Sequence, residues 1–268
     1  MNRDLKLKQS NTLILATHRM NIQQMRLFFY ACSQYQGDLD IEVSIDDINR
    51  ILAYQGGNQR EIIKNAIPTL MQSALVHIED ENGERWSIAI TDSYIKSDNK
   101  TVKFTFNKTV QKELEELRGY TWLYLSNLTG MSSTYAVRIY EFLAMRLGSQ
   151  NRKDTFDFDL NKLRIYLDCT NKLEDFRNFE RTVLKKAEKE INEKTNIKMS
   201  YKKMKTGRSI TSVKFTFSWK TKADIIDVKS KDHKEPIKHT AHTEQLELDD
   251  FLKPVSYTHL RAHETKAN

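Results

Sequence analysis

The sequence predicts an α+β fold made of two similar modules in tandem. One observation is the stretch from Asn171 to Lys194, whose apolar residues recur at steps of three and four, as in a helix with one buried stripe. Two strand-like segments follow, Ile197 to Lys205 and Ser212 to Trp219, joined by a turn at Thr206 to Arg208. A helix followed by a hairpin is the ending of a winged-helix domain.

The second observation is an internal repeat. Val102 to Phe106 and Val213 to Phe217 share the letters VKFTF, 111 positions apart. Three further matches lie earlier in the chain and keep the same order in both halves, 112, 115 and 121 positions apart: Met25–Phe28 with Val137–Tyr140, Ser44–Ile48 with Asp159–Leu163, and Ile62, Ile63, Ala66 and Leu70 with Val183, Leu184, Ala187 and Ile191. Four collinear matches with spacings of 111 to 121 positions indicate a duplicated module with small insertions. We therefore predict two tandem winged-helix domains, 1–121 and 122–220.

The first module is expected to alternate helices and strands. Its predicted elements are helix Asn21–Cys32, strand Asp40–Val43, helix Ile45–Leu52 capped by Ser44, helix Asn58–Ala74, a hairpin of Leu75–Glu79 with Arg85–Ile90, strand Lys100–Phe106 and helix Thr109–Leu117. Pro68 should either kink the fourth of these near Asn65 or open a separate helix. The connector, Arg118 to Thr121, is short and not enriched in Gly, Ser or Pro, so the modules should keep a restricted geometry.

The second module repeats the scheme. Ser132 or Ser133 should cap helix Thr134–Leu147, and strand Thr155–Phe158 and helix Asp159–Leu167 should follow. For the long helix, Asn171 with Glu174 resembles a capping box, although Asn178 could equally cap a shorter helix.

Polar residues on the outer face of that helix are candidates for DNA contact. Its wheel places Asn178, Arg181, Thr182, Lys185 and Lys189 opposite the apolar stripe, and these residue types bond base edges and phosphates. The alternative is a solvated surface helix, because acidic residues are interleaved. The following hairpin favours DNA, since Lys202, Lys203, Lys205 and Arg208 make it a basic wing suited to phosphate anchoring. In the first module the equivalent residues, Asn58, Gln59, Arg60 and Lys64, carry less charge and should bind more weakly.

Composition bounds the function. The chain has 268 residues, 39% apolar content and a net charge of +7, and the stretch Lys172 to Arg208 holds 12 basic and 6 acidic residues, so an acidic polymer is the expected partner. No long apolar run or signal peptide is present, which favours a cytoplasmic protein without membrane contact. Cys32 and Cys169 are expected to be buried thiols.

The sequence lacks the motifs of two kinds of enzyme that act in DNA replication. A rolling-circle nicking endonuclease would need a His-hydrophobic-His metal pair, whereas His18 and His77 stand alone. The nucleotide-binding pattern G-x-x-x-x-G-K-[ST] is also missing. We expect no enzymatic activity, no metal and no cofactor. A winged-helix transcriptional repressor stays open as an alternative.

The residues also carry a family resemblance. Ser133–Glu141, Phe179–Asn192, Lys205–Arg208 and Val213–Phe217 resemble the iteron-binding plasmid replication initiators built from two winged helices. The resemblance implies that the second module reads repeated origin sequences most strongly, while the first contacts DNA and dimerises. It further implies that monomers initiate replication with the host initiator and replicative helicase, and that dimers repress the protein's own promoter.

The C-terminal segment falls outside that resemblance. Residues 221–268 are expected to be a disordered tail, with a possible docking motif at Leu246 to Leu252. Val255 to Thr265 resembles the translation of a sequencing adaptor, and we interpret residues 255–265 as an artefact without function.

Overall fold

A computed structural model describes residues 5–52, 59–73, 75–80, 83–97, 100–115, 119–148, 153–221 and 224. The helices are α1 Asn11–Leu15, α2 Ile22–Ser33, α3 Ile45–Leu52, α4 Gln59–Ser73, α5 Lys108–Glu115, α6 Leu125–Gly130, α7 Thr134–Leu147, α8 Leu160–Tyr166, α9 Phe176–Phe179 and α10 Lys185–Lys194. The strands are β1 Lys6–Ser10, β2 Asp40–Ser44, β3 Leu75–Asp80, β4 Gly83–Ile88, β5 Ile90–Ile95, β6 Thr101–Phe106, β7 Tyr120–Tyr124, β8 Asp154–Asp159, β9 Ile197–Thr206 and β10 Ser209–Trp219. The α+β prediction is confirmed. The predicted tail lies outside the described residues from 225 onward.

Each half contains a three-stranded antiparallel sheet with the same strand order. The first sheet runs β2-β6-β5 and the second β8-β10-β9. The repeated VKFTF segments occupy the central strands β6 and β10, where their Val and Phe side chains are buried and their Lys and Thr side chains lie on the other face. The internal repeat in the sequence therefore corresponds to a repeated three-stranded sheet in the structure.

The helix caps repeat as well. The Ser44 hydroxyl accepts from the Asp46 N–H at 3.1 Å, and the Asp159 carboxylate accepts from the Asn161 and Lys162 N–H groups at 2.9 and 3.0 Å. Both side chains satisfy N–H groups that the first turn of a helix leaves unpaired. At α7 the cap is Ser133, whose hydroxyl accepts from the Ala136 N–H at 3.4 Å.

Two local expectations need correction, and one strand has no counterpart in the prediction. The sequence does not indicate strand β5, because only its first residue, Ile90, is buried and the segment lacks an apolar alternation. Helix α4 runs through Pro68 as one element, so no separate helix begins there. The long helix begins at Phe176, and its cap is Asp175, whose side chain accepts from the Asn178 N–H at 3.0 Å.

Contacts between the two halves hold them in one continuous core. Strand β1 pairs antiparallel with β7, so residues Tyr120 and Thr121 of the expected connector belong to a strand. The Arg138 guanidinium on α7 donates to the Ala16 carbonyl at 2.6 Å, and the Arg26 guanidinium on α2 donates to the Met131 carbonyl at 2.7 Å. Buried apolar residues from both halves form a single cluster. The second module therefore meets the first through backbone pairing as well as packing.

Candidate nucleic-acid interface

The long helix, residues 176–194, consists of three segments. After α9, residues Glu180–Leu184 form a π-helical turn closed by a hydrogen bond from the Lys185 N–H to the Glu180 carbonyl, and α10 follows. Such turns are rare and occur often at functional sites. The inner face is as predicted: Phe179, Val183, Leu184, Ala187 and Ile191 are fully buried. This packing fixes which side chains point outward.

The predicted outer face is presented to solvent. Asn178, Arg181, Lys185 and Lys189 are exposed and Thr182 is half-buried. The Arg181 guanidinium donates to the Asn178 side-chain carbonyl at 3.2 Å, so two polar side chains lie together near the start of the helix. In a helix lying in the major groove, the N-terminal residues are the ones that reach base edges.

Two of the interleaved acidic residues do not belong to a solvated face. The Glu190 carboxylate is buried and accepts from the Ser132 and Ser133 N–H groups at 2.8 and 3.1 Å, so it holds the start of α7. Burial would raise the pKa of Glu190, but these hydrogen bonds outweigh it and hold the pKa below its ordinary value. The Glu180 carboxylate accepts from Tyr201 and Lys203 of the following hairpin. The exposed face of the helix is consequently more basic than the count of charged residues in the sequence indicates.

The hairpin of β9 and β10 forms the wing, and its tip extends beyond the three-stranded sheet. Strand β8 pairs only with Ser212–Phe217, so the hairpin beyond Met204 is two-stranded. Its turn uses Gly207 at a φ of +61°, a conformation that glycine adopts without strain. Lys202, Lys205 and Arg208 are exposed on this wing.

Side chains attach the wing to the long helix at both ends. The Asn192 amide exchanges two hydrogen bonds of 2.8 Å with the Met199 backbone and so extends the edge of β9. The Lys220 ammonium donates to the Thr195 carbonyl at 2.7 Å and also bonds the Asn192 carbonyl, near the negative end of the helix dipole. At the opposite end, Glu180 meets Tyr201 and Lys203. Helix and wing therefore form one connected surface.

The candidates in the first module are less fully described. Asn58 lies outside the described residues, and Gln59 and Arg60 open α4, with side chains that are not described. Lys64 is half-buried on the same helix. The structure thus brings together the candidates of the second module, whereas among those of the first module only Lys64 has a described side chain.

Both cysteines and His77 occupy structural positions. Cys32 and Cys169 are buried free thiols, as predicted, and burial raises the pKa of both, that of Cys169 to about 11. His77 stacks on Trp86 with ring centroids 4.6 Å apart. Within the described residues no three His, Cys, Asp or Glu side chains are placed to hold a metal ion. No helix among those residues is long and apolar enough to span a membrane.

Two family models match the chain. The model described as "Initiator Replication protein, WH1" matches residues 6–144, just over half of the 268 residues, and "Initiator Rep protein, WH2" matches residues 159–217. The chain belongs to the initiator replication protein family. The two winged-helix domains predicted from the duplication are therefore those of a replication initiator.

A solved structure has the same fold. The similar structure is a "Crystal structure of Pi initiator protein in complex with iteron DNA", with a TM-score of 0.69 and 18% sequence identity over 82% of this chain and 99% of that one. At this identity the likeness concerns the fold. No curated protein matches the chain.

Three residues that hold the elements of this interface together are not among the candidates predicted from sequence. Glu180 and Tyr201 connect helix and wing, and Arg138 connects the two halves. A weak signal existed for Tyr201, because alternation along β9 places it on the same strand face as buried Met199 and as Lys203. None existed for Glu180, since its partners lie more than 20 positions away.

Proposed function

We propose that this chain is a plasmid replication initiator that binds repeated origin sequences, or iterons, as a sequence-specific double-stranded DNA-binding protein. The observation that carries the proposal is the combined basic surface of long helix and wing on an initiator fold. The Pi initiator of similar fold was crystallised with iteron DNA, which supports the same ligand class here.

The candidate residues are divided into those proposed to contact base edges and those proposed to contact phosphates. Asn178, Arg181 and Thr182 lie in the first turns of the helix and are proposed to contact base edges. Phosphate contacts are assigned to basic residues of the helix and wing, namely Lys185, Lys189, Lys202, Lys205 and Arg208. Lys203 belongs to the same wing but is paired with Glu180. Weaker contacts are assigned to Asn58, Gln59, Arg60 and Lys64, in keeping with the lower charge of that module. We place the boundary between the two winged-helix domains between residues 121 and 122.

Self-association is assigned to the first module. Its β3–β4 hairpin exposes Trp86 by 59% and Ile88 by 43%, and exposed apolar surface of this kind is typical of interfaces. A dimer would repress the protein's own promoter. Sedimentation should show that Trp86→Ser shifts the equilibrium toward monomer, whereas Tyr94→Ser, which alters a Tyr 43% exposed on β5, should not. Equal sedimentation of Trp86→Ser and the unchanged chain would exclude this surface.

Opening of the origin is assigned to host proteins. The chain is proposed to act without enzymatic activity, in the cytoplasm, by recruiting the host initiator and replicative helicase. Purified protein with Mg²⁺ or Mn²⁺ should leave supercoiled origin plasmid intact. A nicked product joined covalently to a tyrosine would contradict a purely DNA-binding role.

Replication itself separates an initiator from a repressor. A plasmid that carries the origin repeats but lacks its initiator gene should replicate only in cells that supply this chain. A repressor would occupy the repeats and silence the promoter without supporting replication. Failure of replication despite specific binding would therefore favour the repressor.

A further inference from the structure

The carboxylate of Glu180 lies between the long helix and the wing. It accepts a hydrogen bond of 3.1 Å from the Tyr201 hydroxyl and pairs with the Lys203 ammonium at 3.0 Å. The Glu180 side chain is only 16% exposed, and the Lys203 ammonium also sits 5.9 Å from the centre of the Phe176 ring. An acidic group is thus enclosed within a surface that otherwise presents positive charge.

Strand geometry explains why these wing residues face the helix. Met199, Tyr201 and Lys203 alternate along β9 and share one face, whose inner end is buried in the core. Lys202 lies on the opposite face and has no such partner among the described carboxylates. The two neighbouring lysines therefore have different surroundings, although the sequence makes them look equivalent.

The position of Glu180 in the helix adds a second constraint. It is the first residue of the π-helical turn that also contains Arg181 and Thr182. A change in the Glu180 contacts would act directly on the backbone that carries these candidate base-reading side chains. Burial would raise the pKa of Glu180, but the hydrogen bonds from Lys203 and Tyr201 hold it below its ordinary value, so the group stays charged at neutral pH.

We propose that Glu180 is a positioning residue for DNA recognition, which fixes the wing against the long helix and withholds the Lys203 charge from phosphate. The inference rests on the proposed function, because it concerns how the same surface reads DNA. A prearranged wing avoids part of the ordering cost of binding, and this saving is realised only on the DNA that both elements fit. The ion pair therefore contributes to specificity while lowering general attraction to DNA.

Binding titrations across salt, on an origin repeat and on unrelated DNA, provide the test. Glu180→Gln keeps the side-chain shape but releases Lys203, so affinity for unrelated DNA should rise and the salt slope should steepen by about one unit. The ratio of specific to non-specific affinity should fall about two- to tenfold, the cost of ordering a loosened wing side chain. Glu193→Gln is the matched control, since it makes the same charge change at an exposed position of the same helix. It should leave the ratio unchanged.

Lys203→Met distinguishes a withheld lysine from a phosphate anchor. Because Lys203 is paired, its replacement should not change the salt slope while Glu180 is present, but in the Glu180→Gln background it should flatten the slope by about one unit. Tyr201→Phe removes one hydrogen bond without a charge change and should lower the specificity ratio with the slope unchanged. This variant keeps the test valid even if Glu180→Gln folds poorly.

Each contrary result is decisive. The positioning role is wrong if Glu180→Gln matches Glu193→Gln, or if Tyr201→Phe leaves the ratio intact. A slope flattened by Lys203→Met alone would make Lys203 an ordinary phosphate anchor. If the unchanged chain shows no preference for origin repeats, the proposed function fails instead, and the two failures are thereby distinguished.

Discussion

Replacement of Arg138 by Met should weaken the junction between the two halves of the chain. The Arg138 side chain is 5% exposed, donates to the Ala16 carbonyl at 2.6 Å and to the Glu141 carboxylate at 3.2 Å, and stacks 4.3 Å from the centre of the Tyr166 ring. Met keeps much of the apolar volume but none of the donors. Glu141, whose side chain is fully buried, would lose its cationic partner.

The burial of Arg138 and Glu141 sets the expected decrease in the free energy of unfolding. Removal of one partner of a buried ion pair costs about 3–5 kcal/mol, because the other charge stays uncompensated. In a folded unit of this size, each kcal/mol lowers the melting temperature by about 2–4 °C, so a decrease of about 6–20 °C is expected. Arg146→Met is the matched control on the same helix, since Arg146 pairs with Asp154 at 3.1 Å in a more accessible place. Its loss should cost less than that of Arg138, because both Arg146 and Asp154 keep some contact with solvent, which screens the remaining charge.

The pH dependence of this loss has a definite sign. Burial raises the pKa of Glu141 and the Arg138 charge opposes that shift, so removal of Arg138 raises the pKa of Glu141 further. A carboxyl whose folded pKa is raised destabilises the fold increasingly as pH rises from its unfolded-state pKa to its folded-state pKa, and by a constant amount above that. Thermal unfolding should therefore show a larger deficit for Arg138→Met at pH 8 than at pH 5. A loss no larger than that of Arg146→Met, or one independent of pH, would refute this reasoning.

Two further predictions concern the DNA surface and the acid sensitivity of the fold. If Arg181 reads a base, Arg181→Ala should cost about 1–3 kcal/mol of binding free energy on the origin repeat. Lys202→Ala should instead weaken binding to all DNA sequences alike and flatten the salt dependence of binding by about one unit. Binding titrations across salt measure both effects, and unchanged specific binding by Arg181→Ala would exclude base reading. Burial, followed by the Arg138 charge, lowers the pKa of His18 well below 6.5, so the unfolded chain binds the extra proton first and stability should fall as pH drops from 7 toward the folded pKa. Unfolding curves for His18→Phe should lack that fall, and an equal fall in both proteins would assign it to other groups.

Local signals explain why much of the fold was predictable from sequence. The buried stripe of the long helix, the central VKFTF strands and the Ser44 cap depend on periodicity or on neighbours within a few residues. Pairing of β1 with β7 joins residues more than 100 positions apart, and no pattern in Lys6–Ser10 indicates that partner. The same holds for the contacts of Glu180.

The start of the long helix shows how tertiary contacts decide between equal local signals. Asn171, Asp175 and Asn178 are all residue types that cap helices. The Arg164 guanidinium donates to the Leu173 and Glu174 carbonyls at 3.2 and 2.9 Å and holds that segment as a loop. Leu173 has a φ of +59°, which is incompatible with a helix running through it. Asp175 is consequently the first available cap.

Footprinting of the intact chain on origin repeats tests the central claim most directly. Two recognition helices on one duplex enter successive major grooves about 34 Å apart, so one chain should protect about 20 base pairs. The contacts between the halves support this single footprint, because β1 pairs with β7 and Arg138 bonds Ala16 across the junction. Protection of one whole repeat per monomer is the predicted result. Protection of only about ten base pairs, one helical turn, would contradict a chain that reads DNA with both winged helices.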